Sequence, residues 1–154
     1  TDRTTYLIDP TMRCGSPPSE SYIELFSNWA EVIWAGAHGE LIDLAPVAKY
    51  SAQIILKSGW VADNKFLAVT FPEDIAQWVK LHNLCIIDGQ VFVAPQDFPE
   101  FGSVVGLGDT LEEAVDLAKE RAGMIECLDL QIPDDVMDKA QEQIEKGKEV
   151  GVAF

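Results

Sequence analysis

Leu84-Cys85-Ile86-Ile87-Asp88-Gly89-Gln90-Val91-Phe92-Val93-Ala94 is two apolar runs joined by an Asp-Gly pair. The favoured two-residue hairpin turn needs positive φ at both central positions, which glycine adopts freely and aspartate tolerates. The stretch therefore predicts an antiparallel hairpin. Set among further strands and helices joined by similar short links, it argues for an α+β chain of mostly antiparallel sheet with packing helices, and against a doubly wound parallel sheet.

Working outward, residues 103–107 read as another strand. Thr110-x-x-Glu113 follows as a capping box, with Asp109 adding charge that suits a helix N-terminus. Leu111, Ala114, Val115, Ala118, Ala122 and Ile125 form the expected buried stripe of that helix. Upstream, residues 66–71 alternate weakly as a strand and stop at Pro72, where a short amphipathic turn begins. Residues 49–57 are β-rich and end at Ser58-Gly59. Nearer the start, residues 5–8 form a short strand halted by Pro10.

A second capping box, Ser21-x-x-Glu24, predicts one helix from there to the stop signals Gly36 and Gly39. Tyr22, Leu25, Phe26, Trp29, Ile33 and Ala37 share one of its faces, read here as a core face rather than an aromatic ligand platform. At the other end, residues 128–132 are either strand or connector. Pro133-Asp134-Asp135 then opens a final helix with Val136, Met137, Ala140 and Ile144 on one side.

With 154 residues, 47% of them hydrophobic, the chain can bury one core, alone or with a small appendage. The net charge of −15 repels phosphate backbones and anionic lipid, so neither nucleic acid nor a membrane surface is expected as a partner. Residues 109–149 hold 13 acidic and 5 basic side chains, read as a solvated acidic face. Cys14, Cys85 and Cys127 are widely spaced and only His38 and His82 accompany them, which excludes the usual zinc spacings and fits free thiols in a reducing cytoplasm. Cys14 is read as an inert thiol rather than a nucleophile, and His82 as a satisfied histidine rather than a ligand. The first residue is Thr1, and the expectation is that chain precedes it.

Two further stretches carry a family resemblance. Asp9-Pro10-Thr11-Met12-Arg13-Cys14-Gly15-Ser16-Pro17-Pro18 is similar to the Glu-Phe-Asn-Val-Arg-Phe-Gly-Asp-Pro-Glu run that ends the ATP-grasp core of phosphoribosylamine–glycine ligases. Val105-Gly106-Leu107-Gly108-Asp109-Thr110-Leu111-Glu112-Glu113-Ala114 resembles the stretch that opens the last packing helix of those enzymes. In order, the resemblance spans residues 5–125. The family's Gly-Gly-Arg is replaced here by Phe101-Gly102-Ser103.

The resemblance implies the C-terminal portion of an ATP-dependent carboxylate–amine ligase of purine biosynthesis, using Mg²⁺ and ATP in the full-length parent. Asp9 and Thr11 would hold the metal, where the family has glutamate and asparagine. Arg13 would orient phosphate or substrate as the catalytic and cofactor-binding residue. On a strand, residues two apart face one side, and Mg²⁺ takes hard oxygen ligands, so Asp9 and Thr11 could share an ion.

The partners implied are a small carboxylate, a small amine and the N-terminal remainder of the same polypeptide. The resemblance also divides the chain into residues 1–40 (end of the ATP-grasp core), 41–125 (small β-rich domain with closing helix) and 126–154 (acidic, helical extension). The fragment alone would not turn over. The alternative is a non-catalytic binding or assembly module that keeps this fold, which the missing asparagine and arginine favour. A thiol enzyme built on Cys14 is a distant third.

Overall fold

The computed structural model describes residues 15, 19–63, 66–133 and 136–152. Two short helices, α1 (Ser19–Leu25) and α2 (Trp29–Ala37), lead into β1 (Tyr50–Ser58), α3 (Gly59–Asp63) and β2 (Leu67–Thr70). A 3₁₀ turn (Glu73–Trp78) precedes β3 (Val79–Leu81), β4 (Leu84–Ile87), β5 (Gln90–Val93) and β6 (Glu100–Gly108). Helix α4 (Leu111–Ala122), the two-residue strands β7 (Glu126–Cys127) and β8 (Leu130–Gln131), and α5 (Val136–Glu149) complete the order.

The strands form two four-stranded sheets, ordered β3-β6-β1-β8 and β4-β5-β2-β7, with antiparallel pairing throughout. This is the α+β class the hairpin predicts. The hairpin itself forms as read: Ile87 pairs with Gln90, and Asp88 and Gly89 take φ of 50° and 80°. Segment 126–131 serves both sheets, because β7 extends the second beside β2 while β8 extends the first beside β1. Asp129, at φ 54°, makes the turn between them.

Strand β1 is buried at every second residue, so Ala52, Ile54, Leu56 and Ser58 share one face. Helix α4 packs on that face, bringing Ala114, Ala118 and Ala122 against the sheet. The approach is close because Gly106 has no side chain. A Cβ there would lie 2.1 Å from the Ala114 carbonyl oxygen and 2.6 Å from the Ala118 nitrogen. The α4 capping box is complete: Thr110 Oγ1 accepts from the Glu113 amide, and the Glu113 carboxylate accepts from the Thr110 amide. Leu56, Val61, Val93, Phe101 and Val104 are fully buried and form the centre of the core.

Two expectations fail, both near the start. The chain from residue 19 to 37 is two helices rather than one. Ser21 lies buried inside α1 instead of capping it, and Glu24 is drawn to Lys80. The break falls at Phe26–Asn28. There the Ser27 amide bonds the Ala45 carbonyl, Phe26 bridges to Pro46, and the Asn28 side chain accepts from the Ala45 amide and donates to the Asp43 carbonyl. Asparagine commonly satisfies backbone groups outside the helix in this way. The aromatic stripe is likewise not a core face. Tyr22 and Ile33 are exposed, and in α2 only Ala35 is buried.

Candidate functional site

The second face of the β1–β6 pair is polar where α1 crosses it. Ser51 and Gln53 alternate with the buried apolar residues of β1, Ser103 stands on β6, and Lys80 is paired with Ser103 on β3. Helix α1 lays two carboxylates one turn apart over this floor. Glu20 Oε2 accepts from Gln53 Nε2 at 3.1 Å and from Ser19 Oγ at 3.1 Å, while His82 Nε2 lies 3.5 Å from Glu20 Oε1. Gln53 Nε2 also donates to Ser103 Oγ at 2.9 Å. Glu24 pairs with the Lys80 ammonium and accepts from Gln77 Nε2 at 2.9 Å.

The electrostatics follow from this geometry. Burial pushes the pKa of Glu20 up, but its own backbone amide and the hydrogen bonds from Gln53, Ser19 and His82 outweigh that and hold it below the usual carboxylate range. Burial likewise opposes ionisation of Glu24. The hydrogen bonds from Gln77 and Lys80, with the charges of Lys80 and Arg121, again prevail and lower it. Arg121 reaches the same pair of strands from α4, stacking 4.0 Å over Trp78 and donating to the Val105 carbonyl at 2.7 Å. Burial draws its pKa down against the pull of Glu120 and Glu24.

Both carboxylates are therefore ionised at neutral pH and spent on neighbours. Among the described residues, no group of three or more histidines, cysteines or acids is placed to hold a metal ion. Two buried atoms of the floor, Ser51 Oγ and Gln53 Oε1, have no hydrogen-bond partner among the described residues. The thiol of Cys127 is pushed up to about 11 by burial and by Asp129, so it stays protonated and is no nucleophile at neutral pH.

The expected site residues Asp9, Thr11 and Arg13, and Cys14 beside them, lie outside the described residues. Gly15 is described, and its carbonyl accepts the Ser19 amide at 2.9 Å at the start of α1. His82 is satisfied as expected, with its backbone amide on the Phe101 carbonyl and its ring beside Glu20. The network of Glu20, Gln53, Ser103, Glu24 and Lys80 was missed by sequence reasoning. The available signals were the i, i+4 spacing of Glu20 and Glu24 and the polar residues at alternate positions of an otherwise apolar β1.

No family model matches the chain, and no curated protein sequence does. Among solved structures, the chain is similar to phosphoribosylamine–glycine ligase from Thermotoga maritima, with a TM-score of 0.64 and 20% identity over 78% of this chain. What the two share at that identity is the fold: a ligase-like α+β arrangement of helices on antiparallel sheet. The chain covers 30% of the length of that enzyme. No helix of the described residues is long and apolar enough to cross a membrane.

Proposed function

We propose that this chain is the C-terminal portion of an ATP-grasp, ATP-dependent carboxylate–amine ligase. The observation that carries the proposal is the agreement of two independent readings. The motifs at residues 9–18 and 105–114 resemble phosphoribosylamine–glycine ligases, and the fold is similar to a solved member over 78% of the chain. In this reading residues 1–40 end the ATP-grasp core, residues 41–125 make the small β-rich domain and residues 126–154 form an acidic extension, whose first stretch, 126–131, adds a strand to each sheet of that domain. The protein would work in the cytoplasm on a small carboxylate and a small amine, as a step of purine biosynthesis.

The oxygen donors of Asp9 and Thr11 suit Mg²⁺, a hard cation that binds through one or two protein ligands plus phosphate oxygens. MgATP, when bound, supplies the phosphoryl group that activates the carboxylate for attack by the amine. Arg13 would orient phosphate or carboxylate, since a guanidinium carries the fork of N–H donors that suits either group. Lys80 and Gln77 hold Glu24, and Gln53 holds Glu20, so that α1 stays seated on the sheet just after the segment that carries Asp9, Thr11 and Arg13.

The test is Asp9→Asn in the full-length polypeptide, read as carboxylate- and amine-dependent ADP release. A ligase loses at least about 100-fold, because charge on the transferring phosphoryl group is left unneutralised. Unchanged release sinks the assignment of Asp9. A second reading, a non-catalytic binding or assembly module, draws on one observation. Ser103, which follows Gly102 where the family has its arginine, is 1% exposed and bonded to Gln53, so it offers no basic group to a substrate. Absence of any ADP release from the wild-type polypeptide would favour that reading.

A further inference from the structure

Helix α2 conflicts with its surroundings. Its sequence, WAEVIWAGA, has one charged residue, Glu31, and apolar or small residues everywhere else. A helix that is apolar all round belongs inside protein or lipid, and at nine residues, about 14 Å long, it is far too short to span a membrane. Yet Ile33 is 67% and Trp34 71% exposed. The neighbouring segment 40–47 extends the patch, with Leu41 98% exposed and Ile42, Leu44 and Val47 exposed as well.

This segment is held in place. Asn28 clamps it at Asp43 and Ala45, and the Val47 amide bonds the Leu25 carbonyl. The patch is thus a fixed apolar surface of the kind that marks an interaction site.

Its charge identifies the kind of occupant. The charged residues of α2 and of segment 40–47 are all acidic and exposed: Glu31, Glu40 and Asp43. A second copy would set acid against acid and a net −15 against −15, which opposes pairing. The complementary surface is apolar with a basic rim. A source for it is at hand, because the solved ligase that shares this fold is covered over only 30% of its length.

We propose that α2 and residues 40–47 form an interface, covered by a protein body that lies ahead of Thr1 in the same polypeptide and presents an apolar face rimmed by lysine or arginine. The location of that body rests on the ligase reading. The interface itself rests on the exposure and charge of α2 and its neighbour segment.

Hydrogen exchange tests it, comparing the natural gene product with the 154-residue chain. The amides of α2 exchange at least about tenfold more slowly in the gene product, while those of α4 are equal in both. Trp34→Asp in the gene product removes the α2 protection and leaves α4 unchanged, which separates loss of docking from loss of fold. Equal exchange of α2 in both proteins overturns the proposal, as does a gene product no longer than this chain. If sedimentation shows the 154-residue chain to be a dimer and α2 is protected only in that dimer, the surface belongs to a second copy and the proposal again fails. ADP release reads the ligase reading separately: protection of α2 without ADP release keeps the interface and removes the enzyme.

Discussion

Residues 50–131 and residues 19–49 are both rich in large apolar side chains, but the fold treats them in opposite ways. In the first region Leu56, Phe101 and Val104 are fully buried, because β1 and β6 offer one face to α4 and the other to α1. In the second, Ile33, Trp34 and Leu41 stand in the open, because α2 and segment 40–47 have no opposing layer among the described residues. Helical periodicity is the same signal in α2 and α4. Apolar patterning shows that a surface wants a partner, and says nothing of whether the partner lies within the same stretch of chain.

Substitutions can break this comparison or sharpen it. The largest effect is expected for Phe101→Ala, which empties a fully buried site and should cost about 3–5 kcal/mol in urea unfolding. A loss under about 1 kcal/mol would mean that the sheet body is as loosely held as the α2 region.

Lys80→Ala comes next. It strips Glu24 of its ionic partner beneath α1 and should cost about 1.5–3 kcal/mol. The same pair sets a pH dependence. Glu20 and Glu24 are held below their ordinary values in the fold, so their stabilisation is complete above the usual carboxylate pKa of about 4.3 and is lost as pH falls through the depressed values. Stability should therefore fall on acidification below about pH 4, and by less in Lys80→Ala. An acid profile identical in the two proteins would remove Glu24 from the account.

Thr110→Ala deletes half of the α4 capping box and should cost about 1 kcal/mol, read as a lower urea midpoint with unchanged slope. The smallest effect is expected for Trp34→Ala. In the 154-residue chain it should stay within about 0.5 kcal/mol despite the size of the side chain removed. A cost near that of Phe101→Ala would show α2 to be part of the core after all.

The elements that were legible in the sequence are those whose cause is local. Asp88-Gly89 set the hairpin, Thr110 and Glu113 capped α4, and Pro72 ended β2, each through dihedral limits or hydrogen bonds within a few residues. Ser21-x-x-Glu24 has the same local form and failed, because Glu24 found Lys80, 56 residues away, and Ser21 lies buried within α1 rather than ahead of it. The polar floor was illegible for the same reason: Glu20 meets Gln53 across 33 residues and Gln53 meets Ser103 across 50.

By itself, then, the sequence determined the antiparallel α+β class, the hairpin turn and the start of α4, since backbone sterics and short-range hydrogen bonds act wherever the chain goes. Only the tertiary structure decided three further features: the splitting of residues 126–131 between two sheets, the seating of α1 on a polar floor, and the exposure of α2 while the apolar stripe of α4 is buried. Each depends on which distant surfaces meet, and burial free energy is released only when they do.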